Sequence, residues 1–259
     1  FYTEAETNIS ICTTFTVVAH AKSMGVAEDK WVYLRGHAEA QENLMLDRSD
    51  LSRSLAMDLV IEAALKAAKA ETGDIDHTDI YSCFPCVVDQ AATQLDRKSK
   101  PMTLTGGLPF FGGPGNNYTL HGICEVVSAC RQNPGSLGLA HGNGGWMSKQ
   151  AVGIYSTKWA DGDVFADKDK MASEISAQEV PGQANKPSGS ANLESYIVQH
   201  KRGVPVGATV IGRLSTGERF YAKLQDSNLD ILTELADGKL DNSSLQVEPG
   251  IPANKAWLA

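Results

Sequence analysis

Apolar residues recur along this chain with two periods, and the periods take turns. ICTTFTVVA (11–19) is a β-branched and aromatic run that predicts a buried strand. His20–Met24, closed by Gly25 as a C-cap, predicts a short helix. WVYLRGHA (31–38) alternates well enough for a second strand. Asp50 or Ser52 then offers an N-cap to a helix whose face is marked by Leu51, Leu55, Leu59, Leu65 and Ala68, ending before Thr72-Gly73. Asp79-Ile80-Tyr81 predicts a third strand, CVVDQAATQL (86–95) a helix opened by Pro85, and PMTLT (101–105) a further extended piece. Tyr118–Arg131 carries Leu120, Ile123, Val126 and Val127 at helical spacing, and Asn133-Pro134-Gly135-Ser136 closes it. LGLAH (137–141) and QAVGIYS (150–156) predict two strands joined by a GNGGWMSK turn. Strands alternating with helices predict a layered α/β domain over residues 1–158.

The periodicity lapses afterwards. Residues 159–192, rich in Asp, Lys, Ser, Gln, Gly and Ala, read as an irregular connector. LESYIVQHK, TVIGRLS and GERFYAKL follow as short strand-like runs, with Thr216-Gly217 at a hairpin tip. They predict a small β-rich domain over 193–259.

Composition narrows the function classes. Of 259 residues, 42% are hydrophobic and 21% charged, a balance that buries an ordinary core. A net charge of −8 argues against nucleic acid or an anionic membrane as the main partner. No apolar run approaches the length of a membrane span. The opening FYTEAETNIS has no initiating Met, basic n-region or apolar h-region, so the chain is expected to begin partway along a longer one and to be cytoplasmic. Five cysteines without framework spacing fit free thiols in a reducing compartment. The glycosylation triplets at Asn8, Asn117 and Asn242 are read as chance.

Candidate chemistry concentrates in three stretches between Asp79 and Trp146. Glycine-dense turns let backbone approach a ligand closely, and three of them at the ends of predicted strands suggest one shared pocket. In Tyr81-Ser82-Cys83-Phe84, Tyr81 is a hydrogen-bond donor for a carbonyl oxygen. Cys83 is either a nucleophile or, preferably, a buried apolar residue. Cys83-Phe84-Pro85-Cys86 matches CxxC, but one pair is half a zinc site and no thioredoxin pattern surrounds it, so neither a metal site nor a redox role is predicted. Gly106-Gly107 to Gly112-Gly113-Pro114-Gly115-Asn116-Asn117 leads into a helix whose amides suit an anion or an oxyanion; it is neither a P-loop nor GxGxxG. His141-Gly142-Asn143-Gly144-Gly145-Trp146 is a hairpin turn in which His141, if exposed, titrates near neutrality. His121 faces either core or cleft.

At these motifs the chain resembles the thiolase superfamily, specifically the C-terminal half. Tyr81-Ser82-Cys83-Phe84 falls where thiolases carry Asn-Glu-Ala-Phe, or His-Asp-Cys-Phe in the sterol-carrier-type branch. Gly106 to Pro114 looks like the loop GG-x4-GHP, and Gly144-Gly145 like the end of Cys-x-Gly-Gly-Gly. The resemblance covers about 150 residues and is closest to thiolase-like proteins labelled acetyl-CoA acetyltransferases that carry an extra C-terminal domain. It implies a layered α/β thiolase half with a mixed sheet, and an N-terminal half, bearing the nucleophilic Cys, that this chain lacks. Gly113 stands at the family's base His, and Gly142, or His141 in another alignment, at its second Cys. The implied function is an acyltransferase-like, acyl-CoA-handling protein of lipid metabolism with degenerate catalytic positions. The alternative is a non-catalytic CoA or lipid-thioester binding or scaffold protein. Tyr81 and His141 would handle protons, while Gly112, Gly113, Asn116, Asn117, Asn143, Gly144 and Gly145 would hold the substrate. Coenzyme A would enter as part of the substrate, with no separate cofactor. Arg48, Arg53, Lys98 and Lys149 are candidates for its phosphates.

Overall fold

A computed structural model describes residues 22–226 and 228–259. The strand expected over 11–19, most of the helix expected from His20, Cys12 and the Asn8 triplet lie outside the described residues. The chain forms two compact units. One runs to Leu44 and from Ser52 to Ala177; the other takes Met45–Leu51 and Gln178–Ala259.

The first unit is built on a four-stranded mixed sheet in the order β1 (Tyr33–Gln41), β4 (Lys149–Ser156), β3 (Leu137–Gly144), β2 (Ile75–Ile80). β2 and β3 run parallel; β3–β4 and β4–β1 are antiparallel. Alternate side chains of the central strands enter different cores. Leu139, Val152 and Ile154 join one cluster with helices α1 (Leu55–Ala68) and α2 (Pro85–Gln94). Ala140 and Tyr155 join another with α3 (Tyr118–Gln132). With both faces covered, β3 and β4 are buried at every position but their first. That is why they read as near-continuous runs rather than alternating ones.

α1 begins later than expected. Its N-cap is Ser54, whose hydroxyl accepts from the Met57 amide. Its buried face is Ala56, Met57, Val60, Ile61, Ala64, Leu65 and Ala68; of the expected row Leu65 and Ala68 are buried, Leu55 and Leu59 are half-buried, and Leu51 precedes the helix. The reason alanines line this face is a close approach. A Cβ on Gly36 of β1 would meet the Ala64 carbonyl oxygen at 2.2 Å and the Ala68 nitrogen at 2.8 Å. Helix and strand therefore touch backbone to backbone, which small residues permit and leucines do not. On the other face Gly138 leaves room for side chains instead, those of Val126 and Cys130 of α3.

α2 starts at Pro85 and α3 at Tyr118, as expected. Residues 101–105 form no strand, although the Met102 carbonyl accepts from the Ile80 amide at 2.9 Å. The expected hairpin turn is shorter, because β3 continues through Gly144. The segment read as irregular holds α4 (Lys168–Ser176), capped by Asp167 and anchored by Met171 and Ile175. Two apolar positions one turn apart in a polar stretch are too faint a period to notice.

The second unit is a closed barrel, β5 (Gly189–Lys201), β6 (Val204–Leu214), β7 (Arg219–Leu224), β9 (Asn254–Leu258), β8 (Ser244–Glu248), with β8 pairing back onto β5. Closure leaves no unpaired edge. α5 (Leu229–Ala236), between β7 and β8, contributes Leu232 and Leu235 to a core with Val210, Phe220, Leu245 and Val247. α5, β8 and β9 have no counterpart in the sequence-based expectation, which holds only three strand-like runs.

Fully buried Arg219 organises this unit. Its Nε and Nη2 donate to both oxygens of Glu194 at 2.8 and 2.6 Å, and Nη1 donates to the carbonyls of Leu46 and Arg48 at 2.8 and 2.7 Å. One guanidinium thus ties the 45–51 segment to the barrel. The Arg219 and Arg213 guanidiniums hold the Glu194 carboxyl down to about 2, against an ordinary 4.5.

This packing generates two tests. Gly36→Ala should destabilise the first unit by roughly 1–3 kcal/mol through overpacking, read as a lower urea midpoint by circular dichroism. For Glu194, a folded value below the unfolded one means stability that is present above pH 4.5 and lost as pH falls toward about 2. Glu194→Gln should lower stability at neutral pH and flatten that acid limb; an unchanged pH profile of urea unfolding would refute the role of the pair.

Candidate functional site

The parallel pair β2–β3 places the carboxyl ends of two strands side by side, with Ile80 opposite His141. In α/β sheets this is where ligands are received. Beyond Ile80 the chain runs through Tyr81, Ser82 and Cys83 and enters α2. Beyond His141, β3 carries Asn143 on the same face, and Gln150 stands opposite Asn143 on β4.

These side chains form one hydrogen-bonded row. His141 Nε2 lies 2.8 Å from Gln150 Oε1, Gln150 Nε2 donates to Asn143 Oδ1 at 2.8 Å, and Asn143 Nδ2 donates to Cys83 Sγ at 3.1 Å. Since the Gln150 amide nitrogen serves Asn143, its oxygen must accept, so His141 carries its proton on Nε2. Every donor in the row then points toward the sulfur. His141, Asn143 and Gln150 are buried, while Cys83 is half-buried and marks the open end.

Burial decides the electrostatics. His141 is held down to about 4 by desolvation, with the Gln150 bond opposing. It is neutral at physiological pH, and its Nδ1 is buried without a partner. The condition set on His141 by the sequence, exposure, is not met: β3 continues past it into the dry sheet. Burial pushes the Cys83 thiol up, while the Asn143 side chain and the Phe84 amide act to lower it. The preferred reading of Cys83 as an apolar packing residue is incomplete, since its sulfur accepts a directed N–H.

Tyr81 belongs to a second group. Its half-buried ring meets Tyr118 edge-on at 5.1 Å, Tyr118 meets Phe111 at 5.8 Å, and Phe111 lies 5.1 Å from the His121 ring. His121 Nε2 is 2.9 Å from Asn117 Nδ2. The glycine-rich loop is pinned from beneath. Buried Asp79 takes the Thr105 amide and hydroxyl at 2.8 Å each, Thr105 Oγ1 meets Tyr118 Oη at 2.7 Å, and Ser82 Oγ accepts from the Leu108 amide at 3.0 Å. Burial raises the Asp79 carboxyl, and the Thr105 bonds oppose.

Not every expected residue joins the row. Gly112, Gly113, Asn116 and Asn117 are exposed on the loop. The α3 N-terminus is less open than expected, because a tight turn over Gly115–Asn117 gives the Tyr118 amide to the Gly115 carbonyl. Gly144 ends β3, and Gly145, at φ 61°, makes the turn that presents exposed Trp146. Trp146 stacks on Phe84, the residue after Cys83, at 6.4 Å with 12° between planes. Among the phosphate candidates, Arg53 pairs with Asp58 and Arg48 is buried, while Lys98 is exposed. Gln150 is the member of the hydrogen-bonded row that sequence reasoning missed. A separate cleft of about 390 Å³ between α1 and the 163–174 segment mixes Lys66, Lys69 and Lys170 with Glu62, Asp163, Asp167 and Glu174. That lining has no charge bias for a diphosphate. Among the described residues no His, Cys, Asp and Glu grouping could hold a metal, and no helix is long and apolar enough to cross a membrane.

Comparison with known proteins identifies the fold. Residues 170–247 match the family described as thiolase-like protein type 1 additional C-terminal domain. In fold, the chain is similar to the crystal structure of a monomeric SCP2-thiolase-like protein type 1 from Mycobacterium smegmatis, with a TM-score of 0.84 and 40% identity. The match covers 93% of this chain and 54% of that one, so this chain spans about half the length of that relative. No curated protein sequence matches.

Among the described residues, Asn143 is the side chain whose N–H reaches the Cys83 sulfur. Asn143→Ala should raise the thiol further and slow iodoacetamide alkylation of Cys83 by about tenfold at fixed pH, the equivalent of one pKa unit. Fragment-ion sequencing of the peptide that holds both thiols separates this from the exposed Cys86, which should react unchanged.

Proposed function

Since the chain combines a thiolase-like fold with the additional C-terminal domain of type 1 thiolase-like proteins, we propose that it handles acyl-CoA thioesters at the carboxyl ends of β2 and β3. One observation carries the reading: the row from His141 through Gln150 and Asn143 holds a directed N–H donor at the open end of the site. The Asn143 amide has two N–H groups; one is given to Cys83 Sγ, and the other is the donor proposed for a thioester carbonyl oxygen, its orientation set by Gln150. His141 and Gln150 act as positioning residues that fix the Asn143 amide. Tyr81 stands beside the strand ends as a second polar side chain. The stacked pair Phe84–Trp146 offers apolar surface to an acyl or pantetheine chain, and the exposed amides around Gly112–Asn117 line the approach.

Binding is favoured over condensation. A neutral, buried His141 has no route to take a proton from a bound substrate, and Gly113 and Gly142 bring no side chain where the resemblance places a base and a nucleophile. Coenzyme A then arrives as part of the substrate rather than as a resident cofactor. A role in lipid metabolism in a cytoplasmic setting agrees with the free thiols of Cys83, Cys86, Cys124 and Cys130.

A second reading, acyl transfer through Cys83, is favoured by the Asn143 and Phe84 N–H groups at its sulfur. The thiolate would attack the thioester carbonyl, form a new S–C bond and expel CoA as its thiolate, which takes up the proton lost by Cys83.

Calorimetry with CoA and acetyl-CoA tests both. The binding reading expects micromolar affinity with a preference for the acylated form, and Asn143→Ala should weaken acetyl-CoA by about tenfold while leaving CoA unchanged. Equal affinity for both ligands, insensitive to Asn143, would sink it. An acetyl group on Cys83 by mass spectrometry would instead select the transfer reading.

A further inference from the structure

The acyl-CoA reading draws nothing from the barrel unit, whose connectivity is specific. Its five strands close in the order β5-β6-β7-β9-β8, β7 and β9 run parallel, and α5 joins β7 to β8. This is the connectivity of the OB fold, in which the outer face of the second and third strands, flanked by the first and last hairpin loops, receives oligomeric ligands. A fold alone assigns no ligand; the residues on that face do.

Register sets them side by side. Ala208, Val210, Phe220, Ala222 and Ala256 point into the core, so Thr209 of β6, Tyr221 and Lys223 of β7 and Lys255 of β9 point out. Thr209 stands opposite Lys223, and Lys223 beside Lys255, three neighbours within about 10 Å. Ile197 of β5, opposite Thr209, extends the row, and Gln199 Nε2 donates to Thr209 Oγ1 at 3.0 Å. Tyr221 is 50% exposed and Ile197 63%, which leaves open apolar faces on a polar floor. The flanking loops stand at opposite ends of this floor. β6 pairs with β7 only from Thr209 onward but with β5 as far as Val204, so the β5–β6 hairpin runs on as a two-stranded ribbon for about 16 Å. Its tip carries Lys201 and Arg202, and no Asp or Glu occurs from Ser195 to Gly217. The β8–β9 loop, with Ile251 exposed, enters β9 at Asn254 beside Ala222 and bounds the other end. Loops so placed bracket a trough, which an extended polymer fits and a flat bilayer does not.

Charge is segregated within the unit. Among the described residues none of Lys201, Arg202, Lys223 and Lys255 makes an ion pair, whereas Arg213 and Arg219 are committed to Glu194. Asp230 and Glu234 lie on α5, which packs on the core through Leu232 and Leu235, and Asp237 and Asp241 follow it. Near the floor, Asp226 accepts the Leu258 amide at 2.7 Å, and Glu248 faces Lys255 across β8–β9. A net charge of −8 for the chain thus coexists with a face where uncommitted cations prevail. They span about 16 Å along the strands, which suits successive phosphates of a strand rather than one clustered anion.

We propose that this face of the barrel binds single-stranded nucleic acid, with Lys201, Arg202, Lys223 and Lys255 on its phosphates and the Tyr221 ring stacked on a base. Stacking on one tyrosine and contact with phosphates read no sequence, so the binding is sequence-tolerant. The site lies within the barrel unit and stands whether or not the β2–β3 ends take acyl-CoA.

The test is fluorescence anisotropy of a labelled oligothymidylate of about 15 nucleotides, titrated with the full chain between about 50 and 200 mM salt. The expected result is micromolar affinity at the lower salt, with a slope of log affinity against log salt of about −3, as four neutralised phosphates of a single strand require. Lys223→Ala combined with Lys255→Ala should roughly halve that slope. Tyr221→Ala should weaken binding about tenfold and leave the slope in place. All three side chains are exposed, so these variants leave the barrel core untouched. Three outcomes overturn the proposal. One is no anisotropy change at the lower salt, and another is a slope that the lysine changes do not alter. The third is displacement of the labelled strand by an equal concentration of acetyl-CoA or of an uncharged oligosaccharide, which would assign the face to that ligand instead.

Discussion

A sheet buried on both faces leaves no water for the polar side chains that point from it, and this constraint governs the site. β3 and β4 are covered by α1 and α2 on one side and α3 on the other. Any polar atom on their central stretch must therefore find a partner inside the protein or carry its full desolvation cost, about 1–3 kcal/mol. His141, Asn143 and Gln150 answer by pairing with one another across the hairpin, which aligns their dipoles in one direction. The line ends at Cys83 because that is where the dry interior ends. A hydrogen-bond row that burial enforces becomes, at its open end, a donor held in a fixed place.

The same logic places the glycine loop and the helix start. Asp79 is buried, and it commits one oxygen to the Thr105 amide and hydroxyl rather than to a cation. Glu42, also buried, takes the Ala56 amide at 2.8 Å and the Ser54 hydroxyl at 3.1 Å, setting a carboxylate at the N-terminus of α1 where the helix dipole favours it. Ser54 in turn exchanges two backbone bonds with the Gln90 amide, fastening α1 to α2. In the barrel unit, Arg219 does the corresponding work for the 45–51 segment. Each anchor couples a buried side chain to backbone groups of a segment that lacks a regular ladder.

Much of this layering is legible in the residues. Pro85 announces α2, the Leu120–Val127 spacing announces α3, and the β-branched runs announce β3, β4 and the first three barrel strands. What misleads is size. The expected face of α1 includes Leu55 and Leu59, whereas the approach of Gly36 selects Ala64 beside the expected Ala68, and an alanine carries little hydrophobic signal of its own. β8 and β9, five residues each, fall below the length at which a period of two stands out. Gln150 is recoverable in principle. A β3 that continues through Gly144 sets Gln150 opposite Asn143 and one step from His141. The turn signal Asn143-Gly144 instead draws the hairpin tip too early, and leaves the exposure of His141 open.

That misplacement changes the chemistry. An imidazole at a turn is a base; the same imidazole inside a sheet, kept neutral by desolvation, is a neutral donor whose proton is already committed to Gln150. Catalytic acid–base work needs a group that can gain and lose a proton at the working pH, and His141, held down to about 4, is kept from doing so. The half-buried Cys83 thiol is displaced in the opposite sense, away from its reactive form. Both displacements share one cause, burial, and both oppose condensation chemistry while leaving the directed Asn143 amide intact. A site can lose its proton-transfer groups and still keep the donor that recognises a carbonyl, because recognition depends on where an N–H points and not on whether it ionises.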